Sequence, residues 1–141
     1  MLLPLIFDVT EHDFGHKVLD ASKDKPVLVD FWADWCPPCR ALTPVLERVV
    51  RQRHDLRLAK IDADENMKLA GRYKLRGFPT VILFRNGEEV ARFSGARTAQ
   101  QVQEFISQHM NAEFGVRNAE CRTGMRNYSA LRIPNSAFTR P

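Results

Sequence analysis

Two cysteines three residues apart, in Trp35-Cys36-Pro37-Pro38-Cys39-Arg40, are the residues of this chain whose type and spacing best suit chemistry. They directly follow the apolar run Val27-Leu28-Val29-Asp30-Phe31-Trp32 and directly precede a helical pattern, which places both thiols at a strand-to-helix junction. On a helix, positions three apart lie one turn from each other, close enough for the sulfurs to bond. The first thiol then stands at the helix N-terminus, beside backbone N–H groups without intrahelical partners and at the positive end of the macrodipole. That setting predicts Cys36 as the low-pKa, exposed thiol and Cys39 as the buried one behind it. A zinc half-site is the competing use of such a pair. It needs further ligands, and Cys121 is the only other cysteine, with no Cys/His cluster to complete four, so no metal is expected.

The elements that must position these thiols read as alternating strands and helices. Leu5-Ile6-Phe7-Asp8-Val9 reads as a short edge strand, and Thr10 can cap a helix to about Ser22 with Phe14, Val18 and Leu19 on one face. Residues 27–32 read as a central strand buried on both faces, interrupted only by Asp30. After the cysteines, Leu42, Val45, Leu46, Val49 and Val50 carry a helical stripe to about residue 53, with Pro44 inside it as a kink. Residues 56–62 suggest a second parallel strand, followed by a short helix with Met67, Leu69, Ala70 and Tyr73. Val81-Ile82-Leu83-Phe84 and Val90-Ala91-Arg92-Phe93 flank Arg85-Asn86-Gly87-Glu88, and Asn-Gly between apolar runs predicts a hairpin. A last helix from about Thr98 to Met110 buries Val102, Phe105, Ile106 and Met110. The expected fold class is α/β, with a central mixed β-sheet flanked by helices on both faces.

Composition agrees with one domain. The chain has 141 residues, 44% hydrophobic and 27% charged, enough for a single core. Its net charge of +4 sits mostly in residues 111–141, which hold five basic and two acidic residues against sixteen and fifteen before them. The apolar start Met1-Leu2-Leu3-Pro4-Leu5-Ile6-Phe7 lacks basic residues and contains a proline, which makes a poor signal peptide. No run approaches the ~20 apolar residues that span a bilayer. A cytoplasmic protein without a membrane partner is expected, and there a Cys-x-x-Cys pair is catalytic or metal-binding rather than a structural staple.

Residues 1–110 resemble bacterial thioredoxins over their whole length. The resemblance rests on Val29-Asp30-Phe31-Trp32-Ala33-Asp34-Trp35-Cys36, on Cys39-Arg40 and Pro44, on Lys60-Ile61-Asp62, on Arg76-Gly77-Phe78-Pro79-Thr80, and on Gly87 and Gly95. It implies a thioredoxin fold, a cis peptide before Pro79 and a reversible dithiol/disulfide at Cys36 and Cys39. It also implies no bound cofactor, with electrons arriving from NADPH through a thioredoxin reductase and leaving to disulfide-containing client proteins. Asp30 is costly to bury as an anion, so its pKa should rise by desolvation. That suits a general acid or base for Cys39, the role the family suggests; the alternative is a passive carboxylate satisfied by its neighbours. The resemblance brings Lys60 towards Asp30, where a cation would lower that pKa again; otherwise Lys60 is a solvated strand-end residue. It further implies that the backbone of Phe78 pairs with an extended substrate segment. Trp35, Pro37, Gly77, Phe78, Pro79, Gly95 and Ala96 would then form a flat apolar docking surface, against which stands simple core packing for Phe78. Trp32, Pro38 and Pro44 are expected to support the site structurally.

One departure concerns Pro37, where most thioredoxins have glycine. A second proline stiffens the loop and removes one backbone N–H from those that could stabilise the Cys36 thiolate. The expected function is a general protein disulfide reductant acting through a mixed disulfide, as a monomer. The alternatives are a disulfide oxidase or isomerase on the same fold, and a chaperone or binding module that uses the apolar surface alone. Residues 111–141 fall outside the resemblance and read as a basic tail, disordered or loosely docked, with nucleic-acid binding a lesser alternative and Cys121 a bystander thiol.

Overall fold

A computed structural model describes residues 3–111, so the tail, with Cys121 and its scattered arginines and aromatics, lies outside the described residues. The chain divides between Gln103 and Glu104 into two units, and the sheet and the Cys36–Cys39 pair belong to the first. In chain order the strands are β1 (Ile6–Asp8), β2 (Val27–Trp32), β3 (Arg57–Asp62), β4 (Thr80–Arg85) and β5 (Glu88–Ser94). Among the described residues three α-helices alternate with them: α1 (Pro37–Arg53), α2 (Met67–Arg72) and α3 (Ala99–Asn111).

The sheet order is β1-β3-β2-β4-β5, parallel from β1 through β2 and antiparallel from β2 to β5. β2 therefore lies at the centre, and Val27, Leu28, Val29, Asp30 and Phe31 are all fully buried. Alternation along the strand divides them between two cores. Val27, Val29 and Phe31 join Phe7, Val9, Phe14, Val18, Ile61, Leu69, Ile82 and Phe84 on one face. The face of Asp30 looks to α1, whose Thr43 hydrogen-bonds Asp30 and whose Glu47 pairs with Lys60 of β3.

The first predicted helix is replaced by two shorter helical turns. Thr10 does not cap it: Asp13 Oδ1 instead accepts from the backbone N–H of Thr10 at 2.8 Å and from its hydroxyl at 3.2 Å. A π-helical turn at Gly15–Asp20 and a 3-10 turn at Ala21–Lys23 follow. Phe14, Val18 and Ser22 are buried at intervals of four. Residues four apart stay on one side of a helical segment, so these three face inward.

The Asn-Gly hairpin forms as expected, with φ of 54° at Asn86 and 83° at Gly87, the backbone of a type I′ turn. Ser22 pins it, its hydroxyl accepting from Gly87 N–H at 2.7 Å and its carbonyl from Asn86 N–H at 3.0 Å. Gly87→Ala is expected to lower the urea midpoint by the equivalent of about 1 kcal/mol, because a Cβ is strained at positive φ. The space itself is open, with Lys23 Cε at 3.6 Å. β5 is an edge strand with Phe93 buried but Val90 exposed, and its Glu88, Glu89 and Arg92 suit an unpaired edge.

Thr98 caps α3, its hydroxyl accepting from Gln101 N–H at 3.1 Å while Gln101 Oε1 accepts from Thr98 N–H at 2.9 Å. Val102 is buried. In the second unit, Phe105 and Ile106 are buried as expected, whereas Met110, in the last turn of the helix, is half-exposed.

Candidate active site

β2 ends at Trp32, and a short turn closed by Cys36 N–H on the Ala33 carbonyl at 3.2 Å delivers Cys36 to the start of α1. Cys36 is the N-cap, with extended backbone at φ −108° and ψ 100°. Pro37 and Pro38 follow where a helix tolerates prolines, since N–H groups of the first turn lack intrahelical acceptors. They leave Cys39 to supply the first-turn donor to the sulfur: Cys39 N–H points at Cys36 Sγ at 3.3 Å.

Cys36 and Cys39 are joined by a disulfide, with Cα atoms 5.3 Å apart. The expected contrast between an exposed Cys36 and a buried Cys39 is absent in this oxidised state, where they are 3% and 2% exposed. The bonded cysteines form one buried cluster with Ala33, against which Trp32 and Phe78 pack. Pro37 and Pro38 remain exposed beside it.

The peptide before Pro79 is cis, as the resemblance implies. Thr80 holds that loop, its hydroxyl donating to the Gly77 carbonyl at 2.6 Å, and Gly95 N–H donates to the Pro79 carbonyl at 2.9 Å. Gly95 has φ +88°, a backbone that side chains other than glycine's rarely adopt. Phe78, half-buried, meets the ring of Trp35 edge-on at 5.8 Å. Trp35 is 64% exposed, and its Nε1 donates to Asp64 Oδ2 at 2.9 Å. Of the expected docking residues, the structure thus joins Trp35 to Phe78 and Pro79 to Gly95, and leaves Ala96 exposed at the surface.

Below the cysteines, Asp30 is fully buried. Its Oδ2 accepts from Thr43 Oγ1 at 2.7 Å, and its Oδ1 has no hydrogen-bond partner among the described residues. Burial pushes its pKa up to about 6, opposed by the Thr43 hydrogen bond and the Lys60 charge and reinforced by Glu47. Lys60 is the backbone neighbour of Asp30 across β2 and β3, yet its ammonium pairs with Glu47 Oε2 at 3.0 Å. The approach that the resemblance implies is therefore electrostatic, since the direct ion pair is made with Glu47.

Three contributing residues escape the sequence reading: Thr43, Glu47 and Asp64. Thr43 and Glu47 lie four and eight residues after Cys39, on one face of α1, and that spacing was the available signal. Pro44 lies exposed in the same helix. Among the described residues, no group of His, Cys, Asp and Glu side chains converges to hold a metal, and no helix is long and apolar enough to cross a membrane.

Comparison with known proteins adds a second, independent line. The family model described as Thioredoxin matches residues 5–108. A thioredoxin of Rickettsia bellii is 38% identical over 104 residues, covering 73% of this chain and 97% of that protein. A thioredoxin of Mycobacterium tuberculosis is 47% identical over 90 residues, 63% of this chain and 76% of its own length. A bifunctional thioredoxin reductase/thioredoxin of Mycobacterium leprae is 46% identical over 91 residues, 64% of this chain, and the match spans 19% of that larger protein.

Proposed function

The chain belongs to the thioredoxin family, and from that membership we propose that it serves as a general protein disulfide reductant. Thiol–disulfide oxidoreduction is its chemistry, and Cys36 with Cys39 is its redox-active pair. In the proposed direction, the Cys36 thiolate attacks one sulfur of a client disulfide; the client's S–S bond breaks, its other sulfur leaves first as a thiolate that picks up a proton, and a mixed disulfide forms. Asp30 takes the proton of Cys39, whose thiolate then attacks Cys36 Sγ. The Cys36–Cys39 bond forms, the bond from Cys36 to the client breaks, and the second client sulfur leaves with the electron pair and picks up a proton. Two electrons have passed from the dithiol to the client.

The observation that carries this reading is the Cys36–Cys39 pair at the start of α1, with the Cys39 N–H aimed at Cys36 Sγ. A donor in that position favours the thiolate over the thiol and prepares Cys36 as the nucleophile. Trp35, Pro37, Gly77, Phe78, Pro79, Gly95 and Ala96 are the proposed docking surface, with Trp32, Pro38 and Pro44 in support. Residues 1–110 form the proposed functional domain, followed by the basic tail. Reducing equivalents come from NADPH through a thioredoxin reductase, a partnership supported by the relative whose name joins the two proteins. A monomer in the cytoplasm, with no bound cofactor, completes the proposal.

The redox potential of Cys36–Cys39, measured by equilibration in glutathione and dithiothreitol buffers, tests it. A value near the roughly −270 mV typical of thioredoxins is expected. One close to the roughly −120 mV of a strong oxidant would transfer the assignment to an oxidase or isomerase, the alternative that the stiff Pro37-Pro38 loop leaves open.

A further inference from the structure

Asp30 is the one charged side chain on β2, and among the described residues its Oδ1 is one of two buried side-chain oxygens without a hydrogen-bond partner. Oδ2 is held by Thr43 Oγ1 at 2.7 Å. With Asp30 ionised, Thr43 must be the donor, because a carboxylate only accepts. Thr43 follows Cys39 by one helical turn, and both line a cavity of about 220 Å³ together with Trp32, Lys60, Asp8 and Arg40. Asp30 does not line it. Thr43 thus stands where the buried carboxyl meets the space beside the resolving thiol.

We propose that Thr43 is a positioning residue of the dithiol reaction: by donating to Oδ2 it orients the Asp30 carboxyl, stabilises its ionised form, and sets the pH above which Asp30 can accept the Cys39 proton. The inference rests on the proton-acceptor role proposed above for Asp30. Every charged neighbour bears on the choice of Thr43. Lys60 on β3 favours the carboxylate and Glu47 on α1, paired with it at 3.0 Å, opposes it and offsets part of that influence. β4 offers Val81 opposite Asp30, which carries no charge. Asp8 and Arg40 border the cavity rather than the carboxyl. After burial itself, the Thr43 hydrogen bond is the largest influence on the group, and it acts against burial.

The test is single-turnover reduction of a peptide disulfide by the pre-reduced full chain, following decay of the mixed disulfide across pH for Thr43→Val, Thr43→Ala and Thr43→Ser. Valine keeps the shape and removes the donor, so the acid limb should move up by about one pH unit, the scale of a hydrogen bond to a charged group. Turnover near pH 5 is then roughly tenfold slower, with little change near pH 9. Alanine should move the limb in the same direction, and serine, which restores the hydroxyl, should restore the limb. Asp30→Asn is run beside them. If it abolishes the limb while the valine and alanine variants follow the wild-type curve, the role of Thr43 is refuted and that of Asp30 stands. If Asp30→Asn itself leaves the limb in place, the proton-acceptor reading falls and this inference falls with it. A valine variant that melts earlier but titrates normally assigns Thr43 to packing alone and overturns the proposal.

Discussion

Cys36→Ser is expected to abolish disulfide reduction, lowering turnover by about 10³-fold or more, because a serine hydroxyl is not ionised near neutral pH and cannot accept the two-electron exchange of a thiolate. Cys39→Ser should fail differently: Cys36 still attacks, but nothing resolves the product, and a covalent complex with the client accumulates one to one. Mass spectrometry before and after addition of dithiothreitol distinguishes the two. The loss is not a folding defect. The disulfide closes a loop of sequence separation 3, for which chain entropy supplies only on the order of 2 kcal/mol, and the core around β2 does not pass through it. Circular dichroism of each variant should therefore resemble that of the reduced wild type. The double variant also separates an enzyme from a binding module, since a chaperone acting through the apolar surface would still suppress aggregation of a denatured client. Retention of full disulfide reductase activity by either single variant would remove Cys36 and Cys39 as the centre.

How far the site was legible follows from which interactions are local. The dithiol, the helix it caps and the Asn86-Gly87 turn are set by neighbours a few residues apart, and each stands where the spacing puts it. The central strand was legible because burial on both faces leaves an apolar run, and the lone Asp30 within it was conspicuous for the same reason. The ion pair of Lys60 was not legible. Strand register brings Lys60 alongside Asp30, but the choice between Asp30 and Glu47 depends on how α1 lies over the sheet, which no local pattern records. Thr43 was invisible for a related reason: a threonine on a helix reads as a solvated position until a buried acceptor is found beneath it. The π-helical turn at Gly15–Asp20 was not legible, since buried residues four apart are also what an α-helix shows. The burial of Cys36 was not legible either, because in the disulfide-bonded chain its sulfur is shared with Cys39 and covered with it.

Asp30→Asn is expected to make the protein slower and more stable at once, and that opposition identifies a charge kept for function. The folded carboxyl titrates at about 6 against an ordinary 3.8. Between those values the folded chain retains a proton that the unfolded chain has released, so stability falls as pH rises through the window, and the full loss is present above it. At about 1.4 kcal/mol per unit, the buried charge costs on the order of 3 kcal/mol at neutral pH. Asparagine replaces the acid with a neutral group of the same shape that still accepts from Thr43, and its unpartnered amide returns part of the gain. A net stabilisation of about 2 kcal/mol near pH 8 follows, and it reverses to a destabilisation of about 1 kcal/mol as the pH falls below about 4, where aspartic acid is neutral in both states and only the cost of the amide remains. Urea midpoints at the two pH values measure it, and a variant no more stable at the higher pH would mean that the carboxylate is not the burden its burial implies. Activity should move the other way. Without a group to take the Cys39 proton, resolution of the mixed disulfide is expected to slow by about tenfold or more near pH 7, the low side of general-base effects because a thiol ionises more readily than most proton donors. The deficit should narrow at alkaline pH, where Cys39 ionises without help. A rate identical to wild type from pH 6 to pH 9 would leave Asp30 a passive buried acid. A residue kept for packing alone would slow nothing when its replacement stabilises the fold.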